Sequence, residues 1–211
     1  MLSISSLLKL VDVSFVVRLY NEAPNVDYLL SRLKSVCEQL DLNYEIVCVN
    51  DVSRDETLAY LIKHHNENPS IRVINLSRNF GKDIALTAGL DYATGRTIVP
   101  IDANLQDPPG LIAEMLGKWR EGYDVVYAVR RSRQGESWFK KLTGYDLYRI
   151  IACMSRVSIP RITSDFRLMD RKVVDALKLL PERSCFMKGL FAWIGFNRQI
   201  ISPNSIQIVA E

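Results

Sequence analysis

The sequence is poor in the residues that mark several protein classes. Only two histidines occur among 211 residues, His64 and His65, and they are adjacent. The four cysteines, at 37, 48, 153 and 185, form no CxxC pair. These counts argue against a zinc site and against a disulfide framework. Reduced thiols in a cytosolic setting fit them best, and Cys48, in an apolar strand-like run, reads as a small core residue. Long apolar stretches are missing too: none reaches the roughly 18 residues that span a bilayer. Met1–Leu10 has no basic n-region and does not read as a signal peptide. Any membrane contact is therefore expected to be peripheral, or to lie in sequence beyond this chain. A strong charge of one sign is also absent. The net charge of +3 is too small to argue for a nucleic-acid partner.

What is present is an ordinary globular balance, with 48% hydrophobic and 24% charged residues. The pattern along the chain alternates. Val13–Tyr20, Tyr44–Val49, Ile71–Leu76, Thr97–Ile101 and Asp124–Val129 read as strands. Between them Asp27–Leu40, Glu56–His65, Asp83–Ala93 and Gly110–Glu121 carry helical spacing. Such alternation predicts an α/β domain with a mostly parallel sheet and helices on both faces. No repeat or linker divides it, so residues 1–211 read as a single domain. Beyond residue 136 the pattern changes. Ser137–Ser155 and Arg183–Phe196 mix aromatic residues with Lys and Arg, which fits either core packing under a polar face or an interfacial helix. Arg130, Arg131, Arg133, Lys140 and Lys141 fall within twelve positions, as a solvated face or as a site for phosphate or an anionic membrane.

Ligands of parallel α/β sheets bind at the carboxyl ends of the strands, and polar clusters stand there. After the fourth strand comes Asp102-Ala103-Asn104-Leu105-Gln106-Asp107-Pro108-Pro109. Oxygens at alternate positions can face one hard cation such as Mg²⁺ or Mn²⁺, and such a cation would neutralise a diphosphate. The same residues also suit a turn with Asx caps before a helix. After the third strand, Arg78 and Lys82 flank Gly81 at a helix start, which suits phosphate or a solvated loop. After the second, Asp51 could accept from a base or ribose, while Ser53 or Asp55 could cap a helix.

Taken together, Tyr20-Asn21-Glu22, Asn50-Asp51-x-Ser53-x-Asp55, Leu76-Ser77-Arg78-Asn79-Phe80-Gly81-Lys82, Asp102-Ala103-x-Leu105-Gln106-Asp107-Pro108-Pro109 and Asp165-Phe166-Arg167-Leu168-Met169 resemble family 2 glycosyltransferases of the GT-A fold. The closest branch is that of bactoprenol glucosyltransferases and dolichol-phosphate mannosyltransferases. The resemblance runs from about residue 13 to about 200. It implies transfer of a sugar, expected to be glucose, from a UDP-sugar to a polyprenyl phosphate, with inversion and a divalent cation. Tyr20, Asn21, Glu22, Asp51, Arg78, Lys82 and Asp102 would bind the nucleotide-sugar, with Glu22 and Asp51 on the nucleobase and ribose. Asp102, Asn104 and Gln106 would hold the cation. Arg130 and Arg131 would meet the acceptor phosphate. Asp165 and Arg167 would lie by the sugar and acceptor, and with Asp102 form the catalytic set. The expected location is the cytoplasmic face of the plasma membrane, held peripherally, or the cytoplasm if no anchor exists.

Four positions depart from the family pattern. Asn104 replaces the second Asp of D-x-D, Arg18 a Pro, Val52 a Gly, and Ala23 a common second Glu. A turn needing positive φ would make Val52 costly by about 1–2 kcal/mol. Relatives in the branch usually continue into an amphipathic segment and two transmembrane helices, which Ile201–Glu211 does not resemble. These departures sustain an alternative expectation: a truncated or degenerate relative that keeps the fold with weak or no catalysis.

Overall fold

β1 (Val13–Leu19), β2 (Tyr44–Asn50) and β4 (Thr97–Asp102) lie inside a sheet of seven strands among the described residues. Their cores are near-continuous apolar runs, such as Phe15, Val16 and Val17 in β1, each at most 1% exposed. Runs of this kind belong to strands covered on both faces. The computed structural model describes residues 10–103, 110–128, 166–179 and 195–201. Strand order is β3-β2-β1-β4-β6-β5-β7, with β3 Ile71–Asn75, β5 Val125–Ala128, β6 Arg167–Asp170 and β7 Arg198–Ile201. Strands β1 to β4 pair in parallel. Strand β6 runs antiparallel to both β4 and β5, and β7 pairs in parallel with β5. The sheet is mostly parallel, as the alternating pattern predicts.

Helices cover both faces. On one face α1 (Ala23–Gln39), α2 (Thr57–Glu67) and α4 (Leu111–Arg120) pack through Leu29, Leu33, Leu61, Ile112 and Met115 against Phe15, Val17 and Leu19. On the other, α3 (Lys82–Tyr92) and α5 (Arg171–Lys178) pack through Ala85, Leu90, Val173 and Val174 against Val16, Val47 and Val49. Cys48 lies fully inside, and burial pushes its thiol up to about 12, so it is an inert core residue.

Several boundaries differ from the sequence reading for local reasons. Helix α1 begins at Ala23, not Asp27, because Pro24 sits in the first turn, where a missing N–H costs nothing. Strands β6 and β7 and helix α5 have no counterpart in the sequence reading. Each strand is four residues long, too short for a periodic signal. Asp170 caps α5 by accepting from the Lys172 amide at 2.9 Å. No helix among the described residues is long and apolar enough to cross a membrane. The stretch 137–155 and most of Arg183–Phe196 lie outside the described residues.

Candidate active site

The register of β1, β2 and β4 brings the motif residues to one edge. Arg18 stands beside Val49 on one side and Asp102 on the other, and Leu19 beside Asn50. Asp51 continues from β2 and is fully buried. A buried carboxylate is costly unless paired and hydrogen-bonded, and Asp51 is both. It accepts from the Phe80 amide at 2.8 Å, the Gly81 amide at 3.2 Å and the Arg18 Nη2 at 2.9 Å. The Arg18 guanidinium also lies over the Tyr20 ring, 5.7 Å from its centre. Asp51 therefore binds the loop before α3 to the sheet.

The loops after β1 and β2 are knitted together. Asn21, at φ 55, accepts from the Arg54 amide at 2.7 Å and donates its own amide to Ser53 Oγ at 3.0 Å. The Glu22 amide donates to Thr57 Oγ1 at 2.9 Å, and Glu22 Oε2 accepts from Asn25. Asp55 accepts from the Ala23 amide and from the Thr57 amide and hydroxyl. Desolvation raises the Asp55 carboxyl, but the Thr57 hydroxyl and these amides together outweigh it and hold it below the usual range. Val52 takes φ 57, the left-handed conformation that a glycine would adopt freely.

Across from these loops, Gly81 at φ 87 turns the chain into α3, and the helix opens with Lys82. Arg78 is exposed and stacks on Phe80, 4.6 Å from the ring centre. Lys82 reaches Asp102 at the end of β4, with Nζ 3.1 Å from Oδ1 and 3.1 Å from Oδ2. A helix N-terminus, an exposed arginine and a lysine gathered at one carboxyl edge make a surface suited to phosphate.

Asp102 offers one anionic oxygen donor group at the end of β4. No group of three or more His, Cys, Asp or Glu side chains is arranged to hold a metal among the described residues. One carboxylate fits Mg²⁺ or Mn²⁺ where substrate phosphates and waters complete the shell. Asn104, Gln106, Arg130, Arg131 and Asp165 lie outside the described residues. Arg167, at the start of β6, is 4% exposed with its guanidinium over the Tyr127 ring at 5.6 Å. The sequence reading missed the partnership of Arg18 with Asp51, because only the strand register reveals it.

This carboxyl-edge arrangement on a mostly parallel sheet places the chain among α/β domains, whose ligands lie at the strand ends. The model of glycosyl transferase family 2 matches residues 14–178. The "Uncharacterized glycosyltransferase sll0501" of Synechocystis sp. is 56% identical over 191 residues, 90% of this chain and 60% of that protein. The "Prophage bactoprenol glucosyl transferase homolog" of Escherichia coli is 38% identical over 189 residues, 90% of this chain and 62% of that protein. The chain spans about three fifths of the length of these relatives. Among solved structures, mannosyltransferase PcManGT from Pyrobaculum calidifontis, in complex with GDP-Man and Mn²⁺, superposes with a TM-score of 0.64 at 20% identity, covering 93% of this chain and 58% of that one. The fold is GT-A. The chain belongs to glycosyl transferase family 2.

Proposed function

We propose that this chain is the catalytic domain of an inverting glycosyltransferase that moves glucose from UDP-glucose to a polyprenyl phosphate, with Mg²⁺ or Mn²⁺ on the donor diphosphate. The observation that carries the reading is Lys82 with Asp102 at the carboxyl edge, beside the α3 N-terminus. Asp102, with Asn104 and Gln106, would hold the cation, which lowers the charge of the departing diphosphate. Lys82 and Arg78 would bind diphosphate oxygens. Tyr20, Asn21, Glu22 and Asp51 would bind the nucleotide, with Asp51 also holding the loop before α3. The acceptor is an anionic phosphate oxygen and needs no strong base. Attack in line from the face opposite the leaving group gives inversion, so the protein contributes positioning and charge neutralisation. Arg130 and Arg131 would meet the acceptor phosphate, with Asp165 and Arg167 by the sugar. The polyprenyl acceptor and the sugar are supported by the bactoprenol glucosyl transferase name of the Escherichia coli relative. Such an acceptor requires contact with a membrane surface, on its cytoplasmic side. Calorimetric titration with UDP-glucose and with GDP-mannose, each with and without Mn²⁺, tests the donor and the cation. Mn²⁺-dependent binding of UDP-glucose is the expected result, and glucosyl polyprenyl phosphate the expected product.

A second reading is favoured by Val52 at φ 57. The fold would persist while donor binding is weak, through the strained turn and the charge lost at Asn104. Absent UDP-glucose binding that returns in a Val52→Gly, Asn104→Asp variant would establish this reading in place of the first.

A further inference from the structure

Lys82 is aimed from behind. Asp51 holds the Phe80 and Gly81 amides, and Gly81 at φ 87 sends the chain straight into α3. Lys82, the first residue of the helix, is thereby fixed opposite the last residue of β4. Its ammonium bridges both oxygens of Asp102 at 3.1 Å. Asp102 is the carboxylate that the reading above gives to the cation, so its oxygens already have a positive partner. A lysine ammonium and a divalent cation a few ångströms apart repel, even at the dielectric of water. They cannot share one carboxylate without loss.

The pair is also easily separated. Both side chains are 43% exposed, and ion pairs at such positions contribute little. A flexible four-carbon stem lets the ammonium swing without moving the backbone. When a donor diphosphate lies at the α3 N-terminus, the ammonium has a second anionic partner within its sweep.

We propose that Lys82 is an exchangeable counter-ion, paired with Asp102 before the donor arrives and handed to the donor diphosphate when the divalent cation takes the Asp102 oxygens. The inference rests on the cation reading of Asp102. Lys82 then acts as a positioning residue for the cation as well as a phosphate ligand. Its two roles have opposite signs, which a supporting role in the fold would not.

The test compares the full chain with Lys82→Gln and Lys82→Arg. Mn²⁺ affinity without nucleotide is read by electron paramagnetic resonance of free Mn²⁺, and UDP affinity at saturating Mn²⁺ by calorimetry. Lys82→Gln binds Mn²⁺ about tenfold more tightly and UDP about tenfold more weakly, the size expected for one neighbouring charge in a wet site. Lys82→Arg stays near the parent chain in both. Equal Mn²⁺ affinity in the parent chain and Lys82→Gln overturns the exchange and leaves the cation reading standing. Weakening of both ligands by Lys82→Gln also overturns it, as the mark of a structural lysine. Absence of Mn²⁺ binding without nucleotide in all three chains overturns the exchange, and absence in the presence of UDP as well overturns the cation reading with it.

Discussion

Val52 holds a β-branched side chain at φ 57 in the turn that carries Ser53 to the Asn21 loop. In this region the Cβ crowds the following carbonyl, at about 1–2 kcal/mol per residue. The neighbours hold the turn regardless: Ser53 donates both its amide and its hydroxyl to Asn50 Oδ1. Val52→Gly relieves the strain but loosens the unfolded chain. The net expectation is a gain of about 1 kcal/mol, read as a higher urea midpoint with an unchanged slope. An unchanged or lower midpoint would mean that the turn carries no such strain.

At the scale of elements, two glycines in helices have opposite meanings. Gly89 lies in α3 where the helix presses on β1 and β2. A Cβ there would sit 2.3 Å from Val16 Cγ1 and 3.0 Å from Val49 Cγ2. Gly117 lies in α4, and a Cβ there meets nothing within 4 Å. Overpacking a close helix–sheet contact costs about 1–3 kcal/mol, whereas an unobstructed Gly→Ala in a helix gains up to about 1 kcal/mol. Gly89→Ala is therefore expected to lower the melting temperature and Gly117→Ala to raise it. Adding Val16→Ala should recover part of the Gly89→Ala loss, because the obstructing methyl is then gone. The close approach at Gly89 seats α3, which opens with Lys82, against β1 and β2.

At the scale of the whole molecule, one buried carboxylate ties the amino edge of the sheet. Glu45, 5% exposed, accepts from the Ser14 hydroxyl at 2.6 Å, from the Thr94 amide and hydroxyl, and from Arg72 at 3.1 Å. It links β1, β2, β3 and the turn into β4. Desolvation is the largest single influence and raises its carboxyl. The bonds from Ser14, Thr94 and Arg72 together outweigh it, so the group ends below its ordinary 4.5. A depressed folded value means that the unfolded chain takes up the proton first. The stabilisation is present above the unfolded value and is lost as pH falls through the folded one. Glu45→Gln should cost about 1–3 kcal/mol at pH 7. That difference should shrink below about pH 4, as urea melts at several pH values would read. A difference that does not change with pH would place the effect in packing rather than charge.

The parts of this architecture differ in how far one sequence reveals them. The strands and helices of the first 128 residues carry strong periodic or continuous apolar signals, and their identities follow from pattern alone. Asp51, Lys82 and Asp102 were legible as motif residues. Their pairings were not, because Arg18 meets Asp51 only through strand register. Strand β6 left a faint trace in Phe166, Leu168 and Met169, too brief to separate from a loop. The reversal of β6 between β4 and β5 has no local signal at all, since direction in a sheet is decided by partners distant in sequence.

That reversed strand bears on how the chain assembles. Strand β5 is made before β6, yet among the described strands it pairs with β6 and β7 and not with β4. Until residues 167–170 arrive, the open edge of β4 faces a chain whose nearest completed strand is the wrong one. A chain with β5 laid against β4 would be the competitor that this order of synthesis favours, and undoing that pairing would add a step to maturation that equilibrium stability does not reveal.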